Sequence, residues 1–179
     1  MKYLKFTYVD AVTGAPVTAA PAVNGPVFPA VTGIEFAWAR ESQYPTASPE
    51  FFGTCPESSE SDVPGVLAEL SQQDWEAART DEMATRAARL VQSIVHATQA
   101  RMDDFARTRN YDGILSLCTY ATSAVPKFRS EGQYGVDARD ATWATLYEIL
   151  AEVETGLRPT PTGFADIEPD LPALAWPDA

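Results

Sequence analysis

The chain has 179 residues, enough for one domain or two small ones. A hydrophobic fraction of 45%, with four Trp, seven Tyr and eight Phe, excludes disorder as the dominant state. A net charge of -12 disfavours phosphate backbones and anionic lipid as partners, and no apolar run approaches the roughly 18 residues of a membrane span.

Lys2 to Val9 alternates, with Leu4, Phe6 and Tyr8 on one face and Lys5 and Thr7 on the other. That is the pattern of a strand buried on one side. Asp10 to Gly14 carries the turn residues of a short hairpin loop, with Gly14 able to take positive φ. Pro16, Pro21, Pro26 and Pro29 punctuate the return, which confines it to an edge strand or an extended arm. Gly33 opens a second alternating run, with Ile34, Phe36 and Trp38 facing one way and Glu35, Ala37 and Ala39 the other. After Pro45 and Pro49 a third strand is expected at Glu50 to Thr54. Residues 1 to about 56 therefore read as a small, proline-interrupted sheet. Pro56 to Ser61 is an acidic, serine-rich loop, and Val63 to Leu67 reads as a turn leading to one more apolar contact.

Ser71 is placed to cap a helix, with Asp74 three residues on as a weaker form of the capping box. From Gln72 no proline or glycine occurs until Gly113, so a long helix is expected. Val91, Ile94, Thr98, Met102 and Phe105 mark one of its faces. The alanine- and arginine-rich part before Leu90 is less apolar and suits a lever between sheet and helices, with no signal for a break near Ala84 to Arg89.

Tyr111 to Ala121 is a second helical segment and about Phe128 to Val153 a third, separated by Ser123 to Pro126. In the third, Val136, Arg139, Trp143, Leu146, Tyr147, Leu150 and Val153 recur at steps of three and four, the spacing of one helix face. Trp143 is expected to anchor that core. Gly156 supplies the left-handed stop, and Pro159 prevents continuation. Beyond it Pro161, Pro169, Pro172 and Pro177 leave no room for regular structure longer than one turn. Leu171, Leu174 and Trp176 are the apolar groups of this acidic tail, and burying them favours a docked tail over a solvated one.

Charge is unevenly spread. Ala84 to Asn110 holds five arginines, Arg86 and Arg89 among them, against Asp103 and Asp104, whereas Glu148 to Ala179 holds seven acids against Arg158. Both stretches read as solvated faces, or as the middle helix meeting an acidic partner in the same chain or another. Cys55 and Cys118 match no metal spacing and read as reduced thiols of a cytosolic protein. Met1 to Lys5 brings charge without an apolar segment or cleavage site, so no signal peptide is expected.

Chemistry is not signalled. His96 is the only histidine, and no nucleophile is spaced to use it. There is no Ser-His-Asp signature, no glycine-rich phosphate loop and no Asp/Glu/His metal pattern. Asp103 and Asp104 point about 100° apart on a helix and do not converge. Asp137 and Asp140 share a face as a solvated pair, and Arg139 and Asp140 suit structural hydrogen bonds beside Trp143. The expectation is a protein that is no enzyme, with no cofactor and no metal.

Five stretches carry a resemblance: Asn110 to Ala121, Phe128 to Gln133, Ala138 to Trp143, Glu152 to Pro161 and Leu171 to Pro177. Together they resemble the C-terminal region of small tail and tail-fibre-region proteins of tailed bacteriophages, and Lys5 to Asp10 with Gly53 to Pro56 resembles the start of such proteins. Where that pattern has an aromatic-rich segment after Gly-Gln, this chain has Gly132-Gln133-Tyr134-Gly135-Val136. The resemblance implies a non-enzymatic tail protein, an adaptor for the tail-fibre or tail-tip region of the virion. The alternative it implies is a tail-fibre assembly chaperone that is not retained. Localisation would be the virion tail, or the host cytoplasm during assembly. The partner would be a tail-fibre or tail-tip protein, with self-association left open and neither nucleic acid nor membrane insertion expected.

The whole reads as α+β: a small antiparallel β part (1–70), a connecting helix (71–110) and a helical domain with a proline-rich docked tail (111–179). The residues offered for partner binding are Leu171, Leu174, Trp176, Arg86 and Arg89.

Overall fold

The structure, a computed structural model, describes residues 1–17, 26–40 and 50–177. Pro21, Pro45 and Pro49 lie outside the described residues. The chain divides into two compact units, Met1–Arg86 and Ala87–Ala179. The architecture is α+β, an antiparallel four-stranded sheet followed by a long helix and C-terminal helices.

In the first unit, β1 (Lys2–Phe6) is an inner strand, and Leu4 and Phe6 are fully buried on one of its faces. The short β2 (Val9–Asp10) and β3 (Pro26–Val27) pair with each other apart from the main sheet. Between them Gly14, at φ 69°, closes the expected turn, and its N–H donates to the Asp10 carbonyl. β4 (Glu35–Arg40), β5 (Glu50–Cys55) and β6 (Val66–Leu70) complete the order β4-β5-β1-β6.

Two expectations are corrected here. The alternation of β4 breaks, because its register with β5 shifts between Phe36 and Trp38. That bulge sends Trp38 to the Phe52 face, where the rings stack 3.8 Å apart, while Phe36 lies against Phe51. Phe36 and Trp38 therefore do not share a face. The second correction is β6. What reads as a turn and one apolar contact is a strand, since the free edge of β1 offers backbone partners from Tyr3↔Leu70 to Lys5↔Ala68.

Both sheet faces are covered. Phe28 meets Phe6 and Phe51 edge-to-face on one side, joined by Val31, and Trp75 of the following helix meets Tyr3 and Trp38 on the other. Gly53 is required by a close approach, since a Cβ there would sit 2.2 Å from the Glu35 carbonyl oxygen.

α1 (Gln72–Arg107) starts as expected: the Ser71 hydroxyl accepts the Asp74 N–H at 3.1 Å and donates to its carboxylate at 2.7 Å. It runs unbroken through Ala84 to Arg89. In the second unit Ile94, Thr98, Met102 and Ala106 form its buried face, and Val91 lies outside that face at 40% exposed. Asn110, at φ 65°, ends it: Tyr111 N–H bonds the Ala106 carbonyl and Asn110 N–H that of Arg107.

Asp103 then accepts the Ile114 N–H at 2.8 Å and so caps α2 (Ile114–Thr119), whereas Asp104 pairs with Arg107. The two carboxylates diverge as their spacing requires. A 3₁₀ turn, Tyr120–Thr122, leads to α3 (Pro126–Glu154), which begins two residues before the expected Phe128 with proline in its first turn.

α3 corrects the core reading. Its buried residues are Glu131, Gly132, Gly135, Ala138, Thr142, Leu146 and Ile149, a face rotated from the one the large residues mark. Of the expected set only Leu146 is fully buried, Trp143 is half-buried, and Tyr147 is 62% exposed. Small residues occupy the contact because the backbones meet there. A Cβ on Gly132 would lie 2.2 Å from the Ala121 nitrogen, and one on Gly135 2.7 Å from Leu117 Cγ. Trp143 stacks on Tyr147 at 6.1 Å, and its indole N–H finds no acceptor among the described residues. Arg139 lies 3.7 Å from Asp140, an ion pair rather than the expected hydrogen bond.

Gly156, at φ 75°, ends α3 as expected, with Gly156 N–H bonded to the Val153 carbonyl and Leu157 N–H to that of Glu152. Among its described residues the tail adds two 3₁₀ turns, Phe164–Asp166 and Glu168–Asp170. Ile167 and Leu171 bury into the cluster of Ile94, Leu146 and Ile149.

Candidate binding surfaces

The tail anchors are brought together on the second unit. Leu171 is 5% exposed in the Ile94 cluster, and Leu174 and Trp176 pack against the cluster of Met102, Ile114 and Leu117. Trp176 stacks on Phe105 at 4.3 Å, its Nε1–H donates to Thr108 Oγ1 at 2.9 Å, and the Arg109 guanidinium sits 4.6 Å over its ring. Three polar ties hold the tail nearby. Arg101 donates to the Pro172 carbonyl at 2.9 Å, Ala175 N–H donates to the Tyr134 hydroxyl at 2.8 Å, and Arg158 pairs with Asp170. Arg101 also approaches Glu168 at 3.7 Å, so an acidic tail residue does meet an arginine of α1. Ile167 and Phe164, which the sequence reading did not single out, share the docking.

The arginines offered for partner binding have other surroundings. Arg86 belongs to the first unit, where Nε donates to Glu82 at 2.6 Å and Nη2 to the Ala39 carbonyl. Arg89 is exposed on α1 in the second unit.

A second feature of that unit escaped the sequence. Glu131, 3% exposed, receives hydrogen bonds from the Tyr111 hydroxyl at 2.7 Å and from Arg109 Nη1. Burial pushes the Glu131 carboxyl up, but the Tyr111 hydroxyl and the Arg109 guanidinium outweigh it and hold it below the usual carboxylate range. Burial, the bond to Glu131 and that carboxylate's charge push Tyr111 up to about 12. The cluster floors a cleft of about 530 Å³ walled by Tyr120 and Phe128 and rimmed by Lys127. Arg109 and Tyr111 stand in the connection between α1 and α2 and Glu131 on α3, 22 residues from Arg109, so no local spacing could announce the cluster.

Chemical candidates are sparse. His96 is exposed on α1. Cys55 and Cys118 are free thiols, and burial raises Cys118, which disfavours a thiolate nucleophile. Among the described residues no group of three or more His, Cys, Asp or Glu could hold a metal ion, and no helix is long and apolar enough to cross a membrane. No protein family, curated protein or solved structure matches this chain.

Proposed function

We propose that the protein is a non-enzymatic adaptor of a bacteriophage tail, binding a tail-fibre or tail-tip protein. One observation carries the reading. The five stretches that resemble phage tail proteins build a single packed unit rather than scattered surface loops. Asn110 to Ala121 forms the stop of α1, α2 and the start of the following turn. Phe128 to Gln133 supplies Glu131 and Gly132, and Ala138 to Trp143 supplies Ala138 and Thr142, two further buried positions of α3. Glu152 to Pro161 forms the helix stop, and Leu171 to Pro177 is the docked tail. Stretches that pack into one unit suit a part that works by fitting another protein.

Co-expression with each tail protein of the same phage, followed by pull-down, should recover a complex, and peptide mass spectrometry should find the protein in purified virions. A complex without virion retention would move the reading to the assembly chaperone. Failure to bind any tail protein would reject both.

A further inference from the structure

We infer that the cleft over Glu131 is the docking site for an acidic segment of a partner protein that carries one aromatic or large apolar side chain. Its walls are unusual for a surface in water. Tyr120 and Phe128 are each 40% exposed and meet edge-to-face at 5.8 Å, and the Tyr120 ring also meets Tyr111 at 5.2 Å. The volume, about 530 Å³, is that of clefts that bury a ligand group, on the order of 300–1,000 Å³.

Charge selects the occupant. The one carboxylate that lines the cleft is buried and already accepts from Tyr111 and Arg109, so it offers little to an incoming cation. Lys127 forms no ion pair within 4.0 Å among the described residues, and its charge reaches Glu131 only through space. Arg129, in the same turn of α3, spends its donors on the Ser123 and Ala124 carbonyls and keeps its charge. Among the groups that line the cleft, Arg109 is paired with Glu131 and Lys127 remains, so the lining carries one net positive charge within a protein of net charge -12. An acidic partner is therefore repelled over most of the molecule and attracted here, which gives register as well as contact. The same net charge opposes a second copy as occupant, since two copies repel. A partly exposed aromatic wall beside Lys127 suits a peptide with a ring or large aliphatic group flanked by carboxylates.

For the partner's identity this rests on the adaptor reading; for the cleft it stands by itself. The test uses the full chain and two fluorescein-labelled peptides, Asp-Glu-Trp-Asp-Glu and its Asn-Gln-Trp-Asn-Gln counterpart, read by anisotropy. The acidic peptide should bind at least about tenfold tighter, and the difference should shrink as salt rises from about 50 to 300 mM. Lys127→Glu and Phe128→Ala, both at exposed positions, should keep the melting temperature and weaken acidic-peptide binding by about tenfold or more. Equal binding of the two peptides, no binding of either, or wild-type affinity in Lys127→Glu would overturn the inference. So would a dimer, seen by light scattering, that Lys127→Glu dissolves while the peptide goes unbound, because it would assign the cleft to self-association. In the tail-protein pull-down, a wild-type complex lost in Lys127→Glu supports the cleft. A complex kept in both rejects the cleft and leaves the adaptor standing. No complex with wild type rejects the adaptor, and the peptides then decide the cleft alone.

Discussion

In Met1–Arg86 the backbones are held at ladder spacing and rings fill the space beside them: Phe6, Phe28 and Phe51 on one face, Trp38, Phe52 and Trp75 on the other. In Ala87–Ala179 no ladder exists among the described residues, and α3 meets α2 and the 3₁₀ turn after it through the least bulky side chains available. Gly132 lies under the Tyr120–Ala121 backbone and Gly135 under Leu117, and Ala138 and Thr142 extend the same face. Large groups come in from the side, on the tail: Ile167, Leu171 and Trp176. Hydrogen-bonded strands fix their own separation, so a sheet can be read from its large residues. Helices have no such spacer, and their separation is set by the smallest residues at the crossing.

The sharpest way to break this comparison is to add one carbon to each unit. Gly132→Ala would gain roughly 1 kcal/mol of helix propensity on an isolated helix. Here the new Cβ meets backbone at 2.2 Å, so we expect a net loss of about 3 kcal/mol or more, confined to the second unit. Gly53→Ala should do the same to the first, against the Glu35 carbonyl. Unfolding followed by near-UV circular dichroism, with Trp143 and Trp176 in one unit and Trp38 and Trp75 in the other, separates the two. An unchanged midpoint for Gly132→Ala would show that close backbone contact does not hold the helices.

The large residues of α3 supply a ranking. Leu146→Ala, at a fully buried position, should cost about 2–5 kcal/mol. Trp143→Ala, half-buried, should cost roughly 2 kcal/mol, and Tyr147→Ala, 62% exposed, less than about 0.5 kcal/mol. A Trp143 loss above that of Leu146 in denaturant titrations would restore the face marked by the large residues.

Trp176 tests whether the tail belongs to the second unit's core. Its substitution by Ala removes a ring stack, a cation–π contact and a hydrogen bond, worth about 2–3 kcal/mol together. Deleting residues 165–179 should lower the melting temperature of the isolated protein further. A tail deletion that spares the melting temperature and abolishes partner capture would instead put its anchors in an intermolecular dock.

The smallest effect is in pH. The folded carboxyl of Glu131 is held below its unfolded value of about 4.3, so its contribution is complete above that value and is lost as pH falls below it. The second unit should therefore lose stability from about pH 4 downward more steeply than a Glu131→Gln variant does. Tyr111 acts in the opposite sense: its contribution holds below its unfolded value near 10 and is lost as pH rises through about 12. Parallel slopes for wild type and Glu131→Gln between pH 2 and 5 would remove the carboxylate from the stability of the unit.

Much of this was readable along the chain. Alternation placed Leu4 and Phe6 inside, Ser71 and Asp74 marked where α1 begins, and Gly14 and Gly156 marked a turn and a helix stop. Each of these signals acts between residues at most five apart, so sequence by itself determined them. The tertiary structure decided what depends on the opposite surface. The free edge of β1 turned Val66–Leu70 into a strand, and the bulge in β4 sent Trp38 across the sheet. The backbone of Tyr120 and Ala121 selected the glycine face of α3 over its tryptophan face. Arg109, Tyr111 and Glu131 became one cluster only because the end of α1 and the start of α3 converge. A side chain's local pattern states which way it points, but burial also needs something to arrive there, and only the fold brings it.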